Sequence, residues 1–136
     1  MSFTGLRRKV VGLGYGPHLT IDGYNADKKA LGDYLLVRDV LDNLPSVIGM
    51  TKIIPPYVIK YDGKHKPEDW GITGFVVIAE SHISIHTYPD KGYIAFDIFS
   101  CRQFDADKAF DYIINAFKIK RFEKNLVQRG LEFPRT

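Results

Sequence analysis

Glu80-Ser81-His82-Ile83-Ser84-Ile85-His86-Thr87-Tyr88, then Pro89-Asp90-Lys91-Gly92, then Tyr93-Ile94-Ala95-Phe96-Asp97-Ile98-Phe99-Ser100-Cys101 run consecutively in this chain. The outer two segments alternate with the period of two that marks a half-buried strand. Ile83, Ile85 and Thr87 form one set in the first; His82, Ser84, His86 and Tyr88 form the other. In the last segment Ile94, Phe96 and Ile98 oppose Ala95, Asp97, Phe99 and Cys101. The middle four residues carry proline, aspartate and glycine, the chemistry of a turn. Pairing Tyr88 with Tyr93 sets Ser84 opposite Asp97, His86 opposite Ala95, and Cys101 opposite Glu80. Directly opposed residues lie roughly 4.5–5.5 Å apart. This register brings the two apolar sets onto one face, and a slip of one residue would split them. Ser84, His86, Asp97 and Cys101 then share the other face, with Ser81 at its end. Taken singly, a strand cysteine is most often a small buried hydrophobe, and an outward histidine is usually solvated. Together with Ser81 they bring a hydroxyl, an imidazole and a thiol onto one face.

Outward from the hairpin the chain reads β-α-β-β-β-β-α with a last edge strand. Residues 17–23 read as a strand. A helix capped by Asn25 or Asp27 runs to about Asn43, with Ala30, Tyr34, Val37, Leu41 and Leu44 on one stripe; Pro45 is expected to stop it. Residues 51–60 read as a strand entered past Pro55-Pro56, and 61–70 as a polar loop, either a lid or a tolerated insertion. Residues 74–79 are a strand. A second helix near 105–118 is capped by Asp105 or Asp107 and buries Ala109, Phe110, Ile113 and Phe117. Lys118–Leu126 reads as the edge strand. The expected fold is a two-layer α/β sandwich, an antiparallel sheet with two helices on one face. The helices would cover Ile83, Ile85, Ile94 and Phe96. The face with His86, Cys101 and the rings of Tyr88, Tyr93 and Phe99 would stay open to a partner or a substrate.

A chain of 136 residues is expected to form one domain, 1–136. At 45% hydrophobic and 26% charged residues it reads as a soluble globular protein. The net charge of +3 is mild and Arg7-Arg8-Lys9 reads as a solvated tail, so no nucleic-acid partner is expected. No stretch is long and apolar enough for a membrane span. The single cysteine excludes an internal disulfide framework and suits a reducing cytoplasm. No metal is expected: His82 and His86 suit one metal on a helix, but on a strand they sit about 13 Å apart at ~3.3 Å per residue. Gly12-x-Gly14-x-Gly16-Pro17 precedes its strand and lacks dinucleotide-loop spacing.

Glu80-Ser-His-Ile-Ser-Ile-His-Thr-Tyr-Pro-Asp90 and Asp97-Ile-Phe-Ser-Cys101 resemble the short prokaryotic type of S-adenosylmethionine decarboxylase proenzyme. Gly16-Pro-His18-Leu with Asp22, Gly71-Ile-Thr73-Gly74 and Arg129-Gly130 extend the resemblance over nearly all the chain after about residue 15. The resemblance implies a self-made pyruvoyl cofactor. Ser81 would attack the carbonyl of Glu80, and ester formation, elimination and hydrolysis would leave residues 1–80 (beta chain) and a pyruvoyl-headed 81–136 (alpha chain). Thr73 and His86 match the family's processing residues. Cys101 matches the acid that returns a proton to the substrate Cα, after a substrate amine forms a Schiff base with the keto group and CO2 departs. The resemblance also implies an amino-acid-type small-molecule substrate, a role in polyamine synthesis, and a homodimer with sites near its interface.

Three positions depart from the family pattern. Pro67 stands where a Phe commonly stacks on adenine, and Trp70 or Tyr61 would have to replace that ring. Asp90 stands for the Glu that holds the ribose hydroxyls, next to Tyr88 in place of Trp, and Arg102 follows Cys101 in place of Gly. The substrate-binding candidates are therefore Asp90, Trp70 and Tyr88. An altered nucleoside pocket leaves arginine or ornithine as alternative substrates, with Asp90, Glu68 or Asp69 meeting the distal cation. A non-catalytic partner subunit is a third reading, weakened by the joint presence of Ser81, His86 and Cys101.

Overall fold

The structure, a computed structural model, describes residues 14–135; the Arg7-Arg8-Lys9 segment lies outside them. In chain order the elements are β1 (Gly16–Tyr24), α1 (Lys28–Leu31), α2 (Tyr34–Val47), β2 (Tyr57–Tyr61), β3 (Gly71–Ile78), β4 (Ser81–Tyr88), β5 (Tyr93–Phe99), α3 (Ala106–Phe117) and β6 (Arg121–Arg129). Short 3₁₀ turns at Pro67–Asp69 and Pro89–Lys91 join neighbouring strands. The strands form one antiparallel sheet in the order β2-β3-β4-β5-β1-β6.

The β4–β5 hairpin has the register that its alternation requires, with Tyr88 against Tyr93, His86 against Ala95 and Ser84 against Asp97. Gly92 closes the turn at φ 63°, a left-handed conformation that glycine adopts without penalty. Ile83, Ile85, Ile94, Phe96 and Ile98 are buried against the helices. Val37, Val40, Leu41 and Leu44 of α2 and Ala109, Ile113 and Phe117 of α3 complete this core, each set at helical spacing. Among the described residues, no helix covers the other sheet face.

The first helix differs from the sequence expectation. It is broken at Gly32-Asp33 into two segments, each with its own aspartate cap. Asp27 accepts from the Ala30 N–H at 3.0 Å, and Asp33 from the Leu36 N–H at 3.1 Å. Pro45 does not end α2, which runs on to Val47. The proline ring's fixed φ is itself helical, and the Ile48 N–H still reaches the Leu44 carbonyl at 3.2 Å. The strand expected over 51–60 shortens to Tyr57–Tyr61, preceded by a single bridge from Lys52 to Ile78. Pro55 and Pro56 have no N–H to give a ladder. The edge strand lies slightly later than expected and pairs along all of β1, from Gly16–Arg129 to Tyr24–Arg121.

Candidate active site

Ala79 and Glu80 form the tight connection between β3 and β4, so Ser81 is the first residue of its strand, paired with Ile78. Cys101 lies just past β5, and its backbone N–H donates to Ser81 Oγ at 2.9 Å. That bond joins the two residues the hairpin register placed at one end of the sheet. The Cys101 side chain is half-buried. The carbonyl oxygen of Glu80 accepts from the Tyr15 hydroxyl at 3.4 Å. A hydroxyl, a thiol and the peptide bond between Glu80 and Ser81 thus meet at the β3–β4 turn.

Thr73 and His86 meet each other but not this turn. They are paired across β3 and β4, with Thr73 Oγ1 and His86 Nδ1 3.2 Å apart. His86 lies five positions along β4 from Ser81, about 16 Å at ~3.3 Å per residue. The other substrate-binding candidates gather at the His86 end. Tyr88 lies two residues further on, and Tyr61, Thr73, His86 and Tyr88 line one small depression. Trp70 donates its indole N–H to Asp90 Oδ1 at 3.1 Å. One face of its ring carries Lys60 Nζ at 5.1 Å, and its edge lies on Gly32, where a Cβ would come within 2.8 Å of the ring. The Trp70 ring is therefore committed to packing, while Tyr61 stands 46% exposed beside Thr73 and His86. The candidate residues thus fall into two groups, one at each end of β4.

Between them lies a polar network of which the hairpin register had given only the Ser84–Asp97 pair. Asp97 accepts from His18 Nε2 at 2.6 Å and from the Ser84 hydroxyl, and His82 Nε2 lies 3.3 Å away. The Arg129 guanidinium, which can only donate, sits 3.2 Å from His18 Nδ1. His18 Nδ1 therefore accepts, leaving Nε2–H to point at Asp97. Burial pushes the Asp97 carboxyl up, but the hydrogen bonds from Ser84 and His18 and the charge of His82 outweigh it and hold it below its ordinary value. Asp97 is thus ionised at neutral pH. Tyr93 shows the opposite case: burial, then the hydrogen bond to Asp22, raises its phenol well above the usual range. A cavity of about 390 Å³ on the open face takes Asp22, Ser84, His86 and Asp97 into its wall, but neither Ser81 nor Cys101. The pairing of β1 with β5, which carries His18 to Asp97, joins residues 79 positions apart. For the His18 arm of the network, the motif Gly16-Pro-His18-Leu was the one sign in the sequence.

Among the described residues, no group of three or more His, Cys, Asp or Glu is placed to hold a metal ion. No helix of the described residues is long and apolar enough to cross a membrane.

A family model described as S-adenosylmethionine decarboxylase matches residues 17–130. The S-adenosylmethionine decarboxylase proenzyme of Pyrococcus abyssi is 33% identical over 118 residues, covering 86% of this chain and 80% of that protein. The proenzyme of Thermotoga petrophila is 34% identical over 117 residues, covering 85% of this chain and 84% of the relative. Among solved structures, the adenosylmethionine decarboxylase of Aquifex aeolicus matches with a TM-score of 0.72 at 31% identity, over 86% of this chain and 92% of that one.

Proposed function

The chain belongs to the S-adenosylmethionine decarboxylase family, and from that premise we propose that it is a pyruvoyl-dependent decarboxylase of S-adenosylmethionine, activated by cleavage of its own backbone at Glu80–Ser81. The observation that carries this reading is the Ser81 hydroxyl, held by the Cys101 N–H at a tight turn. In the first step Ser81 Oγ bonds to the Glu80 carbonyl carbon, the C–N bond breaks, and the hydroxyl proton passes to the departing nitrogen. Removal of the Ser81 Cα proton then expels the Glu80 carboxylate to leave dehydroalanine, and water hydrolyses its imine tautomer to a keto group, releasing the nitrogen as ammonia. The donor set fits that group: its parent serine opens a strand, with a half-buried thiol beside it.

Once formed, the pyruvoyl carbonyl supplies an electron sink for loss of CO2 from a bound α-amino acid. Every other task falls to side chains. Cys101 adjoins the junction and is the acid that returns a proton to the substrate Cα. His86 is the base for the Ser81 Cα proton during processing, with Thr73 bonded to its Nδ1 to fix the ring.

The separation between the two groups supports a further point. A histidine about 16 Å from Ser81 cannot reach the Ser81 Cα proton, since proton transfer needs hydrogen-bond distance or one water. A second copy can bring its own His86 and Thr73 to the junction. The open sheet face suits such pairing: Tyr57, Ile59 and Phe75 stand exposed on β2 and β3, on the same side as His86. We therefore read the active form as a homodimer in which each site takes Ser81 and Cys101 from one copy. Thr73, His86, Tyr61, Tyr88 and Asp90 come from the other. A cytoplasmic setting suits the reduced Cys101 thiol this requires.

Within this arrangement Asp90 accepts the ribose hydroxyls, oriented by the Trp70 N–H, and Tyr61 is the free ring for adenine. Tyr61→Ala should raise KM for S-adenosylmethionine several-fold, as loss of about 1 kcal/mol of stacking implies, and leave backbone cleavage intact. An unchanged KM would return the stacking role to another ring. Of the carboxylates that could meet the distal cation of arginine or ornithine, Asp69 is already paired with Lys91 Nζ at 2.6 Å. The decisive assay is CO2 release from carboxyl-labelled S-adenosylmethionine, arginine and ornithine. Turnover of S-adenosylmethionine is expected; turnover of arginine or ornithine alone would overturn the substrate assignment.

A further inference from the structure

From the contact between the Tyr15 hydroxyl and the Glu80 carbonyl oxygen, 3.4 Å, we propose that Tyr15 is a catalytic residue of self-cleavage. It stabilises the oxyanion that forms on Glu80 as Ser81 Oγ attacks. The inference rests on the self-cleavage reading above and adds a donor that the motif residues do not provide. When Ser81 Oγ bonds to the Glu80 carbonyl carbon, the C=O electron pair moves to oxygen. The negative charge then grows on the atom facing the Tyr15 O–H. It returns to the carbonyl when the C–N bond breaks and the nitrogen takes the serine proton, so no outside reactant is needed. A donor aimed at such an oxygen is worth more in the transition state than before it. Hydrogen bonds of this kind are often long at rest and tighten as charge develops.

Tyr15 is held from several sides, as a donor of this kind must be. Its ring lies between Phe99, at 5.4 Å between centroids, and Phe133, edge-on at 4.9 Å. Its backbone N–H donates to the carbonyls of Arg129 and Gly130 at 2.8 and 2.9 Å. Its carbonyl accepts from Arg135 Nη2 at 3.2 Å, and the same guanidinium lies 4.8 Å over the Phe133 ring. Gly130 turns the chain at φ 62°, and a Cβ there would fall 2.7 Å from the Tyr15 Cβ. The turn after β6 therefore wraps the tyrosine and fixes the height of its hydroxyl. Gly130, Phe133 and Arg135 are positioning residues. They make cleavage of the β3–β4 turn depend on a segment some fifty residues further along the chain.

The test follows cleavage of the full chain made by cell-free translation, sampled over time on denaturing gels with and without hydroxylamine, which cuts esters but not amides. Tyr15→Phe keeps both ring contacts and should keep the melting temperature. It should slow appearance of the 81–136 fragment about a hundredfold, the typical effect of removing one oxyanion donor. Hydroxylamine should not restore it, because the block precedes the ester. Gly130→Ala should also slow cleavage, and adding Tyr15→Phe to it should slow cleavage no further, since both changes remove one interaction. Cleavage of Tyr15→Phe at the wild-type rate, or accumulation of a hydroxylamine-labile ester in it, overturns the assignment. Full additivity of the two changes overturns the positioning role of Gly130. A wild-type chain that never cleaves removes the self-cleavage reading itself, a result separate from any difference between variants.

Discussion

Ser81→Ala should leave the chain as one uncut polypeptide, with no carbonyl group for a hydrazine to label and no detectable decarboxylation. Alanine has no oxygen to attack the Glu80 carbonyl, so neither the ester nor anything after it can form. The effect is larger than that of any other single change, because it removes a reactant and not only a catalyst. Wild type should separate into fragments 1–80 and 81–136, the second resisting amino-terminal sequencing because it begins with a keto group. The variant should fold normally: Ser81 is half-exposed, and the hydrogen bond it loses, from the Cys101 N–H, is of a kind worth only about 0.5–1.5 kcal/mol. Its melting temperature serves as the control. If Ser81→Ala still releases CO2 from S-adenosylmethionine, the chemistry does not pass through Ser81. The reading of the junction then fails, whatever the family.

Much of this could be read before any coordinates, because the information was local. The β4–β5 register follows from two alternating runs about a four-residue turn, where a slip of one would put Ile83 and Ile85 on the face opposite Ile94. The cap of α3 was legible in the same way, and Asp105 makes the expected bond to the Lys108 N–H at 3.0 Å. The break before α2 was less so. Gly32-Asp33 is a stop and a new cap in two residues, but the apolar stripe runs on through both segments and hides it. The His18–Asp97–Ser84 network depends on β1 entering the sheet between β5 and β6. Strand order is a long-range outcome that no local pattern encodes. Tyr15 was invisible for the same reason, since only the turn after β6 makes its position meaningful. The separation of the two groups of candidate residues was within reach. The strand spacing that puts His82 and His86 about 13 Å apart, too far for one metal, also puts Ser81 and His86 about 16 Å apart. A motif that is short in sequence is long when it is laid out as a strand.

That distance leads to the second large effect. Ser81→Ala and His86→Ala should each be inactive alone, yet cleave and decarboxylate when produced together. His86→Ala retains Ser81 and Cys101 and lacks only the base. By itself it should stop at an ester that hydroxylamine cuts. Ser81→Ala retains Thr73 and His86 and lacks only the reactant. In a mixed dimer one junction keeps Ser81 and Cys101 on the His86→Ala copy and receives His86 from its partner, so that site is whole. The other site has neither residue. With random pairing half of the dimers are mixed and one of their two sites works, so about a quarter of wild-type sites should form in a twofold dimer. Only the His86→Ala chain should be cut, which intact mass shows directly, because the two chains differ in mass. A chain carrying both substitutions, produced with wild type, should rescue nothing: its mixed dimers lack a base at one junction and a serine at the other. If the two single variants stay inactive together while native mass spectrometry shows mixed dimers, His86 does not act across the interface. Its role must then lie within its own chain, at a distance that only a rearrangement of β4 could close.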